Sequence, residues 1–262
     1  MNLRISHIIA VLALLCQTLS LSAGSLVESA DSAYAADDFA KATALYLKAA
    51  EVDGTSSNLY YNIGNSYYRQ GKPGMAILYY ERALRLDPSN ADARANLEFV
   101  NSRITDEPGD RGMFISNTVN GIACRLSGNA WAGMAIGSFI LMLGAVALYI
   151  FSANVPLRKV GFFGGFVLLA LCIVANVFAS VSTRYSTAHD RAVVIDPSTL
   201  LSTSPRVPKD RSEEAMLLHE GTCVEILDSV TTRLDSVATK WYDVKVDNNH
   251  RAWINGNAVA VI

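Results

Sequence analysis

The 262-residue chain has few of the side chains that perform chemistry. It holds four histidines and four cysteines, scattered along its length. Neither set shows metal-ligand spacing or a CxxC pair, and the cysteines form no disulfide framework. His219 and His250 stand alone, and no Cys-His or other nucleophile-base set is evident, so an enzymatic reading has no residues to carry it. An excess of positive charge is also missing. Formal net charge is −2, with eight basic and ten acidic residues in 25–105 and nine and eleven in 184–262. Nucleic-acid binding needs a basic patch that neither region has. The reading is therefore not an enzyme, with no cofactor and no metal.

Charge is absent altogether from two long runs. Hydrophobic residues make up 51% of the chain and mean hydropathy is +0.23. Ala130–Phe151 and Val160–Thr183 contain no charged residue over 22 and 24 positions. A helix of about 20 residues crosses about 30 Å of hydrocarbon, so both are read as transmembrane helices. Only "SANVPLRK" (152–159) joins them, which makes an antiparallel hairpin. Arg158 and Lys159 place that loop in the cytoplasm by the positive-inside rule. With no ionisable residue in either span, a proton relay, ion path or midplane substrate site has no carrier, and the spans read as an anchor. Glycines recur along both and permit close helix approach. Ahead of them, Phe114, Ile115, Val119, Ile122 and Leu126 recur at helical spacing, as in an interfacial amphipathic helix or an ordinary linker helix (106–129).

A third apolar run opens the chain. "MNLRISHIIAVLALLCQTLSLSAGS" has a basic start, a short apolar core and small residues near Ala23 and Gly24. It reads as a signal peptide over 1–24, with an uncleaved anchor helix as the other reading. Signal and loop charge together put both flanking regions on the extracytoplasmic side. Cys172 and Cys223 lie in apolar patterns and read as small core residues.

Residues 25–105 carry an internal repeat. Ala42, Tyr46 and Ala49 recur as Ala76, Tyr80 and Ala83, and Tyr34 as Tyr68, each 34 positions on. Tyr60, Ile63-Gly64, Tyr67, Ala76, Tyr80, Ala83 and Pro88 resemble the tetratricopeptide repeat. Gly64 and Ala76 let the two helices of a repeat approach, while Tyr67 and Tyr80 fill the space beside them. Gly71-Lys72-Pro73 and Asp87-Pro88 end the helices. The first copy is degenerate, and Asn90–Ile104 is half a third copy that reads as a capping helix. "NLYYNIGNSYYRQGKP" (58–73) is split by this register. Tyr60 and Tyr67 fall on packing positions. Tyr61, Asn62, Asn65, Tyr68 and Arg69 fall on the face that lines the concave groove of such arrays. Asn62 and Asn96 are register equivalents; the resemblance implies amides that hold a bound peptide's backbone, and solvated polar residues are the other reading. The Lys/Arg clamp of chaperone-binding members is replaced by Asp31, Asp92 and Asn96, which argues against a terminal-carboxylate clamp.

After the second span the apolar period shortens to that of strands, at 192–195, 222–227, 241–246, 251–254 and 258–262. "LLHEGTCVEILDS", "WYDVKV" and "RAWI" resemble a bacterial SH3-like domain, here 184–262. Trp241 and Trp253 are candidates for an aromatic ligand groove; Trp253 packing the barrel floor is the other reading. The polar stretch "STSPRVPKDRSEEA" reads as a loop able to edge that groove.

The fold class is thus a multidomain membrane protein: all-α repeats, a two-helix transmembrane hairpin and a small all-β barrel. This order of modules is similar to the BatE family of aerotolerance-operon inner-membrane proteins. That resemblance implies a non-enzymatic scaffold in the inner membrane, with periplasmic modules and partners that include von Willebrand factor A-type membrane proteins. An envelope sensor whose SH3-like domain holds peptidoglycan is the alternative.

Overall fold

The computed structural model describes residues 26–106, 114–187, 189–234 and 237–262. The expected signal segment lies outside them, as do 107–113 of the linker and the side chains of 114–118. The chain divides into two compact units. One comprises the repeats apart from Leu84–Ala91, together with the carboxy-terminal sheet; the other takes in Leu84–Ala91 and the two long apolar helices.

Five helices build the repeats: α1 (26–35), α2 (Phe39–Asp53), α3 (Ser57–Arg69), α4 (Pro73–Leu86) and α5 (Ala91–Asn101). Local chemistry fixes their ends. Asp38 and Ser56 cap α2 and α3, accepting hydrogen bonds from Lys41 N–H and Leu59 N–H, both at 3.1 Å. Gly71, at φ +72°, closes α3 in a conformation that glycine adopts without strain, and Pro73 opens α4. The 34-residue register is a burial register: Ala42, Tyr46 and Ala49 are buried, as are Ala76, Tyr80 and Ala83. A Cβ on Gly64 would stand 2.7 Å from two Tyr80 ring carbons, so the bare glycine is what lets α3 and α4 meet. The remaining tyrosines separate by face. Tyr60 meets Tyr79 edge-on at 5.6 Å and Tyr67 stacks on it at 5.4 Å. Both stay half-buried, and the buried ring they pack on is Tyr79, which the sequence pattern does not single out.

The carboxy-terminal region is a curled antiparallel sheet, a half-barrel of seven strands. They are β1 (Arg191–Val194), β2 (Ser198–Ser202), β3 (Glu214–His219), β4 (Cys223–Leu234), β5 (Val237–Lys245), β6 (Arg251–Asn255) and β7 (Val259–Val261), in the order β3-β2-β6-β5-β4-β1-β7. Ala192, Val194, Leu201, Leu218, Val224, Val244, Ala252 and Ile254 form its core. Two strands, β2 and β3, fall in and beside the stretch expected to be a loop. Each buries one leucine, Leu201 and Leu218, next to an exposed one, Leu200 and Leu217, so the apolar residues do not alternate as a strand pattern would. β4 and β5 also run further than expected, pairing as far as Leu234 and Val237.

The repeats and the half-barrel pack against each other within one unit. Gly221, at φ +90°, presents a turn so tight that a Cβ there would lie 2.8 Å from Ile104 and 2.9 Å from Ile77. Gly74 at the start of α4 is similarly close to the Val194 carbonyl. Arg191 pairs with Glu81 at 3.1 Å, and Arg82 donates to the Val261 carbonyl at 2.8 Å. Asp106 is the polar centre of the contact. Its carboxylate accepts from His219 N–H at 2.7 Å and Thr222 Oγ1 at 2.7 Å, and lies 2.8 Å from His219 Nδ1. Burial alone would raise the pKa of Asp106, but the hydrogen bonds from Thr222 and His219 outweigh it and lower the value below 3.8. A carboxylate with a depressed folded pKa stabilises the fold above its unfolded pKa and ceases to do so as pH falls through the folded value. The difference in thermal midpoint between wild type and Asp106→Asn should therefore be constant at neutral pH and shrink as pH drops below about 4. A difference that grows on acidification would contradict this.

In the second unit, α6 (Phe114–Ala123) precedes α7 (Gly128–Phe151) and α8 (Val155–Thr187). The latter two are long and apolar enough to cross a membrane. They are not buried helices: Ile136, Leu141 and Phe163 are each more than 60% exposed. Gly161 brings them together, since a Cβ there would lie 2.7 Å from the Ala145 carbonyl. Trp131 meets Phe178 at 4.9 Å. The connection is shorter than the expected eight residues. α8 begins at Val155, with Pro156 accommodated in its first turn, so Arg158 and Lys159 are helical and only 152–154 link the helices.

Candidate functional site

The candidate site is a trench on the face of α3 away from Tyr79. A cavity of about 250 Å³ is lined by Tyr61, Asn65, Tyr68 and Arg69 from α3, Tyr34 from α1, Tyr80 from α4 and Asn96 and Phe99 from α5. A second cavity of about 170 Å³ is lined by Asp31, Tyr34, Tyr46, Asn62 and Asn65. Tyr34 and Asn65 border both, so the two are parts of one depression. The six repeat residues named from the sequence all line it, five in the larger cavity and Asn62 in the smaller. Helical geometry explains the grouping: 61, 65 and 68 are spaced by four and three, so they share one face of α3.

Asn65 organises the floor. Its Oδ1 accepts from Tyr80 OH at 2.7 Å and from Asn96 Nδ2 at 2.8 Å. With the oxygen taken by two donors, the Asn65 NH₂ is left to donate to whatever enters. The expected equivalence of Asn62 and Asn96 does not extend to their surroundings. Asn96 is tied into this network and lies 3.4 Å from Tyr61 OH, whereas the Asn62 side chain borders the smaller cavity. Burial raises the pKa of Tyr80, and burial followed by the Asp31 carboxylate raises that of Tyr46, so both hydroxyls stay protonated donors. Tyr46 spends its proton on Asp31.

Two arginines stand at the trench. Arg69 lies 4.2 Å from the Phe39 ring centroid and 3.0 Å from Asp37. Arg103 stacks 3.7 Å over Phe99 and donates to Tyr68 OH at 2.9 Å. Arg103 was not among the residues expected here, yet its signal was available: it follows Arg69 by 34 positions, the repeat period. Tyr34 and Phe99 belong to the same set and carry the same signal: Tyr34 stands 34 positions before Tyr68, and Phe99 stands 34 after Asn65.

The half-barrel differs from expectation at its tryptophans. The register pairs Asp243 with Trp253 and Trp241 with Asn255, so both indoles lie on the sheet face opposite Val244 and Ile254. Trp241 is only 3% exposed and cannot offer a ring to a ligand, which corrects the expected aromatic groove. Trp253 is half-buried. Asp243, also buried, is held by a bidentate Arg251. Among the described residues, no group of three or more His, Cys, Asp or Glu side chains could hold a metal ion.

Compared with known proteins, residues 57–90 match the tetratricopeptide repeat family. No curated protein matches the chain. The match covers α3, α4 and the turn after them, which carry half of the trench lining; this segment is a tetratricopeptide repeat, and that suggests a protein–protein interaction module.

Proposed function

We propose that this protein is a non-enzymatic, membrane-anchored adaptor that holds a segment of another protein in the trench of its repeats. The observation that carries the reading is the trench itself: aromatic walls and an oriented amide donor on a matched repeat. Concave surfaces of stacked helical repeats recognise peptides through such arrays of side chains. The apolar helices α7 and α8 serve as the anchor, which confines the trench near the bilayer and raises its effective concentration for membrane partners.

The half-barrel is read as SH3-like, serving chiefly to support the repeats. Its packing against them bears on topology. Two crossings return a chain to the side it left, so a hairpin of α7 and α8 is compatible with one body made from sequence on both sides of it. Arg158 and Lys159 at the start of α8 favour the hairpin's turn facing the cytoplasm and the soluble body facing outward. Within that reading, the BatE-like setting of envelope stress and von Willebrand factor A-type membrane partners is the proposed context. Burial of Trp241 leaves Trp253 as the indole of that pair with exposed surface for a peptidoglycan-binding alternative.

A photoreactive residue tests the adaptor reading in intact membranes. Placed at Tyr61 or Tyr68 it should give a discrete protein adduct that Asn65→Ala suppresses. Placed at the exposed Lys48 it should give none. Equal labelling from all three positions, or no adduct from the trench, would overturn the proposal.

A further inference from the structure

We infer that the trench selects an acidic peptide segment, with an apolar side chain in the larger cavity and a carboxylate against Arg103 and Arg69. This rests on the trench being a peptide site, and it adds the chemistry of the occupant. The larger cavity has aromatic walls in Tyr61, Tyr68 and Phe99, and its volume suits one large side chain rather than a helix. An apolar anchor is what such walls reward.

The polar groups around it are mostly donors. Asn65 has its oxygen filled and its NH₂ left over. Arg103 is exposed, held flat by the Phe99 ring and the Tyr68 hydroxyl, with no carboxylate bonded to it among the described residues. Guanidinium groups fixed in this way are pre-organised to take a carboxylate with two hydrogen bonds. Arg69 adds a second cation, paired with Asp37. That pair is weak because both side chains are largely exposed, at 47% and 75%, so an incoming carboxylate competes with it readily. At the other end of the depression Asp31 accepts from Tyr46, and its remaining acceptor capacity suits a backbone N–H. The arrangement is therefore polar along its length, an acceptor at the α1 end and donors at the α5 end. A terminal carboxylate is not required, because Arg69 and Arg103 reach side chains at the rim.

The test uses the full chain in detergent and a bead library of random octapeptides, acetylated and amidated so that neither end is charged. Retained beads should be enriched at least about fivefold in sequences that pair Asp or Glu with Phe, Trp or Leu, and enrichment should fade at high salt. Arg103→Gln should abolish the acidic preference while Arg103→Lys keeps part of it. Retention of neutral or basic peptides that still depends on Asn65 overturns the acidic assignment and leaves the trench as a peptide site. No retention that depends on Asn65 overturns both. An acidic preference unchanged in Arg103→Gln contradicts the assignment of the carboxylate to Arg103.

Discussion

Replacing Gly64 with valine should unfold the repeats well before the rest of the protein. A Cβ at this position meets two carbons of the Tyr80 ring at 2.7 Å and the Ala76 carbonyl at 3.3 Å. Tyr80 cannot retreat, because it is buried and its hydroxyl is fixed to Asn65. The helices must separate, losing the packing of Ile63, Ala76 and Tyr80 together. Overpacking of a tight core costs about 1–3 kcal/mol and more where nothing can yield, so a loss near about 3 kcal/mol is expected. For a body of this size that is a fall of about 6–12 °C in thermal midpoint. Gly133→Ala is the control, since nothing lies within 4 Å of that Cβ, and it should leave the midpoint unchanged. The trench shares Tyr80 with the core, so Gly64→Val should also abolish adduct formation from Tyr68. A stable, trench-competent valine variant would show that the α3–α4 contact is looser than described.

The second large effect is expected at Gly221, where the half-barrel touches the repeats. Valine there meets two obstacles. A positive φ costs a non-glycine residue about 1–2 kcal/mol, more when it is β-branched. The new Cβ would also stand under 3 Å from Ile77 and Ile104. Together they should cost about 3 kcal/mol or more, and the loss should appear as separation of the two parts rather than melting of either. Limited proteolysis should then cut near Ile104, a site that wild type protects. Gly221→Asn separates the causes, since asparagine tolerates positive φ but still carries a Cβ. It should recover only the conformational part, leaving a midpoint between those of valine and wild type. If the asparagine variant matches wild type, the contact with Ile77 and Ile104 contributes little.

These two glycines also show what the sequence discloses. Gly64 is legible because a small residue, a large aromatic and two alanines return at a fixed period of 34, and period is a property of the string. The same period places Arg103 beside Arg69. The two long apolar helices are legible for an equally simple reason: uncharged runs of that length are long enough, as helices, to cross a membrane. Gly221 is different. In the sequence it follows Glu220 as an ordinary turn signal, and nothing marks the turn as one that inserts between Ile77 and Ile104. Asp106 likewise looks like a linker residue until Thr222 and His219 are brought to it from more than a hundred positions away. Contacts between elements remote in sequence carry no period, so the union of repeats and half-barrel was not foreseen. The strands β2 and β3 are not legible because their apolar residues adjoin rather than alternate: Leu201 and Leu218 are buried, while neighbouring Leu200 and Leu217 are exposed. Burial of Trp241 is not legible because strand alternation alone does not say which face of a curled sheet is covered. In the trench, the residues on α3 followed from helical spacing, whereas the roles of Asn65 as acceptor and Asn96 as donor depend on three helices meeting.

The supported trench requires the repeats and the half-barrel to form one body although two membrane-length helices separate them in sequence. A cysteine pair at Arg82 and Val261 tests this directly, in a background whose native cysteines are replaced. Arg82 donates to the Val261 carbonyl at 2.8 Å across the contact, so a short bifunctional thiol reagent can bridge the two positions. In intact cells the reagent should join the pair within one chain, seen as a shift in mobility and as a joined peptide of residues 82 and 261 by mass spectrometry. Cysteines that never join, or that join only between chains, would contradict the single body and with it the supported trench on which the proposed function depends.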